Sequence, residues 1–190
     1  GVDRTGRLDP AAVDRTLAVL AEHRRVLAEH GVTRVRMAAT SAARDAADSD
    51  AFFRRVEEVL GVVPELLPGD EEGRLAFAGA TAGLDPAQGP FCVIDVGGGS
   101  TEFAVGTDEL ERVVSVEMGS VRFTDRYIES DPPEPEELVA CISVAEAHLA
   151  DVVREVPELA DVRTWVGVAG TITTVAAVEI GCPHDEYGRT

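Results

Sequence analysis

Residues 91–105 read FCVIDVGGGSTEFAV, and the rest of the chain is interpreted from this stretch. Apolar residues enclose one acid, Asp95, three glycines follow, and a second strand-like run begins at Glu102. The pattern predicts two strands joined by a tight turn, with a carboxylate on each side of the turn. Because glycine has no Cβ and tolerates positive φ, successive backbone N–H groups of such a turn can converge on an anion.

The polar side chains of the same stretch suit a phosphate that is bound together with a metal ion. Ser100 and Thr101 add hydroxyl donors, and Asp95 and Glu102 supply the hard oxygen ligands that Mg²⁺ prefers. A plain hairpin with a glycine-rich turn would explain the three glycines alone. The acids and hydroxyls that flank the glycines favour a site for phosphate and metal.

Two better-known phosphate loops are excluded by the sequence. A P-loop needs a lysine after its glycines, and this chain contains no lysine. A dinucleotide fingerprint opens a helix directly after its glycines, whereas here a second strand is predicted. The stretch is therefore neither a P-loop nor a dinucleotide-binding turn.

The composition limits the partners of the protein. A net charge of -18 over 190 residues argues against nucleic acid or an anionic membrane as a partner. The same charge repels polyanions, so local N–H groups, arginines and a divalent cation would have to overcome it at a phosphate site. Three cysteines at distant positions favour reduced thiols and a cytoplasmic location.

Hydrophobic periodicity and capping residues predict an α/β chain in which helices alternate with strands. Turn residues without periodicity at 83–90 mark a boundary, so we expect domains of residues 1–88 and 89–190. A strand is expected over 32–38. A long helix that begins near 134 is expected to turn one stripe inward, formed by Leu138, Ile142, Ala145, Leu149 and Val152.

Two predicted strands end in small polar residues. Thr40, Ser41 and Arg44 follow the first, at a position where α/β proteins place ligand contacts. Thr40 and Ser41 could equally cap a helix, and Arg44 could form a surface ion pair. Gly170 and Thr171 follow a later strand and open a helix, which makes them a second potential anion contact, although close packing of helix on strand would also explain the glycine.

Three consecutive acids, at residues 70–72, begin a predicted helix. The helix dipole favours negative charge there and accounts for two of them. The third is less needed for stability, so we expect one of these carboxylates to point into a cleft.

Several stretches together resemble the exopolyphosphatase and guanosine pentaphosphate phosphohydrolase (Ppx/GppA) family of the actin-like ATPase superfamily. Residues 95–102 match its second phosphate loop. The other similar segments, in chain order, are AATSAAR at 38–44, EEGR at 71–74, MGSVRFT at 118–124 and GVAGT at 167–171.

The resemblance implies two ribonuclease-H-like (actin-like ATPase) domains with the active site in the cleft between them. The implied reaction is Mg²⁺-dependent hydrolysis of the terminal phosphoanhydride of inorganic polyphosphate, or of the 5′ γ-phosphate of guanosine pentaphosphate. Glu72 would be the general base, and Asp95 and Glu102 would hold the metal or orient water. The implied phosphate-binding residues are Thr40, Ser41, Arg44, Gly97, Gly98, Gly99, Ser100, Thr101, Gly170 and Thr171.

The sequence departs from the family pattern at its start. Members begin with a first phosphate loop of the form D-x-G-S-N-S, which is missing here, so the first domain is expected to be incomplete and the second to be short at its end. We expect weak or no hydrolysis from such a chain, and a homodimer, because an incomplete sheet exposes an edge.

Three other classes remain open at this point. A non-catalytic phosphate or nucleotide sensor would use the same loop. A sugar- or acetate-kinase relative of the same superfamily is disfavoured by the adjacent Glu71 and Glu72 and by the match at 118–124. A purely structural domain is disfavoured because many of the small-residue turns carry polar groups.

Overall fold

The computed structural model describes residues 2–182. The chain forms two compact units, Gly1–Pro68 and Gly69–Thr190. This division falls earlier than the predicted boundary after residue 88. The difference has a physical reason: a helix that begins at Gly69 packs on the central sheet of the second unit.

The first unit is mainly helical. Asp9 caps helix α2 (Pro10–Glu29): its side chain accepts a hydrogen bond from the Ala12 N–H at 2.8 Å, and Pro10 fills the first helical position. Gly61, with a φ of 77°, follows and ends helix α4 (Ser49–Leu60). The helices are α1 (Val2–Thr5), α2 (Pro10–Glu29), α3 (Ser41–Arg44) and α4 (Ser49–Leu60).

The strand predicted over 32–38 is largely wrong. Only Ala38–Ala39 forms a strand, β1, which pairs in parallel with β2 (Glu65–Leu66). Alternating residues become a strand only where a neighbouring strand accepts their hydrogen bonds. In the described part of the chain, β1 and β2 form a two-stranded sheet in which two residues of each strand are paired.

The second unit is a four-stranded sheet with helices on its faces. Strands β3 (Phe91–Val96), β4 (Thr101–Gly106) and β5 (Leu110–Val116) are antiparallel, which confirms the predicted hairpin around the glycines. Strand β6 (Thr164–Val168) pairs with β3 in parallel, which gives the order β5-β4-β3-β6. The helices are α5 (Gly69–Thr81), α6 (Ser120–Tyr127), α7 (Pro135–Glu155) and α8 (Ala169–Glu179).

Both faces of this sheet are covered, and all six residues of β4 are buried. On one face Phe77 of α5 packs with Phe91, Val93 and Ala104. On the opposite face α7 packs against the sheet. The core cluster there consists of Cys92, Phe103, Val105, Val152 and Val156.

The stripe predicted to face inward on α7 is mostly wrong. Val152 is buried, but Leu138, Ile142 and Leu149 are 47%, 58% and 41% exposed. The apolar spacing predicted the helix correctly, yet within the described residues only its C-terminal part reaches the core cluster.

Glycines let α5 approach the sheet closely. A Cβ on Gly73 would lie 2.5 Å from Val113 Cγ2 and 3.3 Å from Glu102 Cβ, and one on Gly69 would lie 2.6 Å from Ser115 Cβ. These two positions are four residues apart and share one face of the helix. The contact therefore fixes the first turn of α5 against β4 and β5.

Glu137 organises the turn that precedes α7. Its carboxylate accepts hydrogen bonds from the N–H groups of Glu129 (2.7 Å), Ser130 (3.1 Å) and Glu134 (2.8 Å), and from the Ser130 hydroxyl. The Ser130 hydroxyl bond, followed by the backbone bonds, lowers the pKa of Glu137 to about 2. These bonds favour the charged form of the carboxyl group in the folded protein.

We predict that Gly73→Ala destabilises the protein by about 1–3 kcal/mol, because the added methyl overlaps the Val113 side chain. Gly79→Ala is the matched control on the same helix, since a Cβ there meets no atom within 4 Å. This control is expected to be stabilising by about 0.5–1 kcal/mol through helix propensity. Urea unfolding of both variants checks the pair, and equal shifts would contradict the packing argument.

We predict a pH-dependent loss of stability for Glu137→Gln. The folded pKa lies below the unfolded one, so the carboxylate stabilises the fold above about pH 4.5 and loses this effect as the pH falls toward 2. The variant should unfold at lower urea concentration than the parent at pH 7, and the difference should shrink at pH 3. A difference that stays constant between pH 7 and pH 3 would exclude the carboxylate as its source.

Candidate phosphate-binding site

The glycine turn and the start of α8 lie together at one edge of the sheet. Strands β3 and β6 are parallel, so their carboxyl ends meet there, with Asp95 opposite Val168. A cleft of about 640 Å³ opens at this edge. Its lining comprises Val96, Gly97, Gly98, Ser120, Ala169, Gly170, Thr171, Thr174 and Val175.

The cleft unites two predicted anion contacts that are more than 70 residues apart in the chain. Gly97 and Gly98 come from the β3–β4 turn, and Gly170 and Thr171 come from the first turn of α8. Ser120 also borders the cleft and was not singled out from the sequence. Its one signal in the sequence is its position inside the MGSVRFT segment.

The glycine turn is held by the N-terminal residues of α6. The carbonyl of Gly97 accepts from the Ser120 N–H at 3.1 Å, and the carbonyl of Gly98 accepts from the Arg122 N–H at 2.9 Å. Gly119 packs against the turn so closely that a Cβ on it would lie 2.4 Å from the Gly98 carbonyl oxygen. The conformation of the turn thus depends on a segment about 20 residues further along the chain.

Some groups of the predicted phosphate-binding residues are buried or form hydrogen bonds within the protein. The N–H of Gly97 donates to the Ser100 carbonyl at 3.0 Å and closes the turn. The side chain of Ser100 is buried, and the hydroxyl of Thr101 donates to the Met118 carbonyl. Donation to phosphate by the N–H groups of Gly98, Gly99 and Ser100 stays a prediction.

Asp95 and Glu102 lie side by side on one face of the sheet. They are direct partners across the β3–β4 pair, and Ser115 lies opposite Glu102 on β5. Glu102 is 1% exposed, and its Oε1 accepts from Ser115 Oγ at 2.7 Å. Burial raises the pKa of Asp95, because desolvation disfavours its charged form.

The carboxylate oxygens of Asp95 and Glu102 are of the kind that Mg²⁺ prefers. Within residues 2–182, no group of three or more His, Cys, Asp or Glu side chains is arranged to hold a metal. Mg²⁺ is commonly held by one or two carboxylates together with substrate phosphates and water. Asp95 and Glu102 meet that requirement, and the positive charge of an ion would offset the burial of both.

The acids Glu71 and Glu72 at the start of α5 have different surroundings, and the cleft expected for one of the three acids stays a prediction. Glu71 forms two hydrogen bonds of 2.6 Å to Arg74 on the outer side of the helix. Glu72 is half-buried, and its Oε2 atom is fully enclosed. The next residue, Gly73, packs on Glu102, so Glu72 belongs to the same compact unit as the glycine turn.

The remaining predicted site residues lie in the first unit. Arg44 Nη1 donates to the Leu67 carbonyl at 2.8 Å, which fixes the position of its guanidinium group. Thr40 precedes α3 and its carbonyl accepts the Arg44 N–H at 3.0 Å, but its side chain does not cap the helix. Ser41 is buried in the first turn of α3.

In the described part of the chain, no helix combines the length and the apolar character that crossing a membrane requires.

Comparisons with known proteins agree on one family. The family model described as the Ppx/GppA phosphatase family matches residues 1–183. Exopolyphosphatase 2 of Mycobacterium tuberculosis is 44% identical over 184 residues, which are 94% of this chain and 57% of that protein. A guanosine-5′-triphosphate,3′-diphosphate pyrophosphatase of Photobacterium profundum is 27% identical over 187 residues, covering 98% of this chain and 37% of that protein.

Solved structures share the mixed α/β fold. A crystal structure of an exopolyphosphatase-like protein superposes with a TM-score of 0.89 at 36% identity, over 95% of this chain and 58% of that chain. The chain thus spans somewhat more than half the length of the Mycobacterium tuberculosis relative and of this structure, and about a third of the Photobacterium profundum relative. Since the family model covers nearly the whole sequence, the chain belongs to the Ppx/GppA phosphatase family.

Proposed function

We propose that the protein hydrolyses the terminal phosphoanhydride bond of inorganic polyphosphate and releases orthophosphate. The observation that carries the proposal is the joining of the glycine turn and the first turn of α8 in one cleft. A relative that is 44% identical bears the name exopolyphosphatase, which supports polyphosphate as the substrate. The two-domain actin-like arrangement implied by the sequence resemblance is part of the same proposal.

Phosphate is held by backbone dipoles in this proposal. Gly98 and Gly99 offer N–H groups, and the first turn of α8, at Gly170 and Thr171, adds the positive end of a helix dipole. Such short-range donors are needed because the net charge of -18 repels a polyanion at longer range. Arg44, with Thr40 and Ser41 beside it, is proposed to bind the phosphate that is attacked.

The carboxylates divide the remaining chemistry. Asp95 and Glu102 would hold Mg²⁺, which neutralises charge on the phosphate oxygens when it is bound. Glu72 accepts a proton from water as the water oxygen bonds to the terminal phosphorus. The anhydride P–O bond breaks at the same centre, and the shortened polyphosphate leaves with its electron pair.

Guanosine pentaphosphate is the alternative substrate. The similarity to a guanosine-5′-triphosphate,3′-diphosphate pyrophosphatase favours it, although at lower identity than the exopolyphosphatase relative. Both substrates end in a phosphoanhydride, so the roles of the glycine turn and of the carboxylates are the same. Parallel assays of phosphate release from the two compounds decide between them.

A cytoplasmic homodimer completes the proposal. Cys92, Cys141 and Cys182 are not in disulfide bonds, and burial raises the pKa of Cys92 to about 11, which disfavours its reactive thiolate form. In the sheet of the second unit β6 is an outer strand, and its Trp165 is 53% exposed, which supports association of two copies.

We predict that Glu72→Gln lowers the rate of phosphate release by about 10²–10⁴-fold, because the amide cannot accept the proton from water. Binding of polyphosphate should be retained, since the shape of the side chain is unchanged. Malachite-green detection of phosphate with Mg²⁺ and long-chain polyphosphate measures the rate, and calorimetry measures binding.

Glu71→Gln is the matched control for this experiment. Glu71 precedes Glu72 on the same helix but pairs with Arg74, so its loss should leave the rate close to that of the parent. Equal losses in both variants would refute a specific role for Glu72. A parent chain that binds polyphosphate without releasing phosphate would contradict the proposed hydrolysis by this chain and would agree with the weak or absent hydrolysis expected from its sequence.

We predict that Asp95→Asn raises the Mg²⁺ concentration required for half-maximal activity by at least about tenfold, because one of two charged ligands is lost. Asp108→Asn is the control, since Asp108 is exposed in the β4–β5 turn at the other end of these strands. Titration of Mg²⁺ at fixed polyphosphate measures the effect. An unchanged Mg²⁺ requirement in Asp95→Asn would remove Asp95 from the metal site.

A further inference from the structure

Arg122 is a buried arginine directed at the backbone of the glycine turn. It is 4% exposed, and its Nε donates to the carbonyl of Gly99 at 2.5 Å. The Arg122 backbone N–H also donates to the carbonyl of Gly98. One residue therefore binds two consecutive carbonyl groups of the turn.

Together, Ser120 and Arg122 donate hydrogen bonds to three consecutive carbonyl groups of the turn. Gly97 accepts from the Ser120 N–H, and Gly98 and Gly99 accept from Arg122. The peptides that these carbonyls belong to are trans. In a planar trans peptide the C=O of one residue and the N–H of the next point in opposite directions.

The orientation of three N–H groups follows from this geometry. The amides of Gly98, Gly99 and Ser100 point away from the N-terminal segment of α6, because the preceding carbonyls point toward it. Successive amides that face one side form the backbone arrangement that binds anions. Hydrogen bonds to the carbonyls also polarise these peptides, which strengthens their N–H groups as donors.

The positive charge of Arg122 acts in the same sense. Its guanidinium group lies behind the turn, and its Nη1 is 3.9 Å from Glu117, whose side chain is 69% exposed. A buried charge is screened less by solvent than an exposed one. The site therefore holds a fixed cation close to the turn in a chain whose net charge is -18.

We propose that Arg122 is a positioning residue that orients the amides of the glycine turn for phosphate. The inference rests on the proposed function, in which this turn binds the phosphate of the substrate. Arg122 acts through the backbone of the turn, so it need not touch the substrate. Arginine is required because its Nε–H reaches the Gly99 carbonyl while the rest of its guanidinium group stays near Glu117.

The test is ¹H–¹⁵N NMR of the parent and of Arg122→Gln, titrated with tripolyphosphate in the presence of Mg²⁺. We expect the parent to show saturable shifts of the Gly98, Gly99 and Ser100 amides. Arg122→Gln should bind about ten- to a hundredfold more weakly, and its turn amides should already be displaced without ligand. Arg126→Gln is the control: Arg126 lies one turn later, approaches the same Glu117 and is 41% exposed, so it should behave like the parent.

The results distinguish a failure of the role of Arg122 from a failure of the proposed phosphate binding. A parent that shows no shifts with tripolyphosphate refutes phosphate binding by the turn, while the ligand-free spectra still test whether Arg122 orients these amides. Unchanged turn amides and unchanged affinity in Arg122→Gln refute the role of Arg122. If Arg122→Gln does not fold, Arg122→Lys is tested in its place. Lysine keeps the positive charge but lacks the Nε donor, so we expect displaced turn amides and weaker binding of tripolyphosphate. Parent-like behaviour of Arg122→Lys would overturn the proposal.

Discussion

The register between β3 and β4 is the constraint on which the site depends. It places Asp95 directly opposite Glu102 and leaves the glycines at the end of the pair, where they form the turn. Side chains alternate between the faces of a sheet, so a slip of one residue would send one of these acids to the opposite, apolar face. The apolar residues that share this one face with the acids, such as Val93 and Ala104, hold the register, because moving them would break the cluster with Phe77.

A second requirement is that binding be local in a strongly acidic protein. The net charge of -18 makes approach of a polyanion unfavourable, and the chain has no lysine. In the proposed site, backbone donors, a helix N-terminus and the buried cation Arg122 would supply this local attraction, because their effects are strongest within a few ångströms. Specificity for phosphate would then come from geometry at the turn, since the overall field opposes any anion.

The sequence was most informative where one short pattern determined the structure. The hairpin around the glycines, the caps of α2 and the start of α5 were predicted from neighbouring residues alone. The strand over 32–38 and the inward stripe of α7 failed because they depend on partners, which spacing along the chain does not reveal. No separate role was predicted for Arg122, because its contacts with carbonyl groups distant in the sequence exist only in the folded chain.

The position of Glu72 relative to the other acids follows from packing. Gly69 and Gly73 allow the first turn of α5 to rest on Ser115, Val113 and Glu102, and a larger residue at either position would move that turn outward. A general base on a packed helix is held at a more constant distance from neighbouring groups than one on a loop. Since a small misplacement of reacting groups slows a reaction strongly, the two glycines matter to the proposed chemistry although neither has a functional side chain.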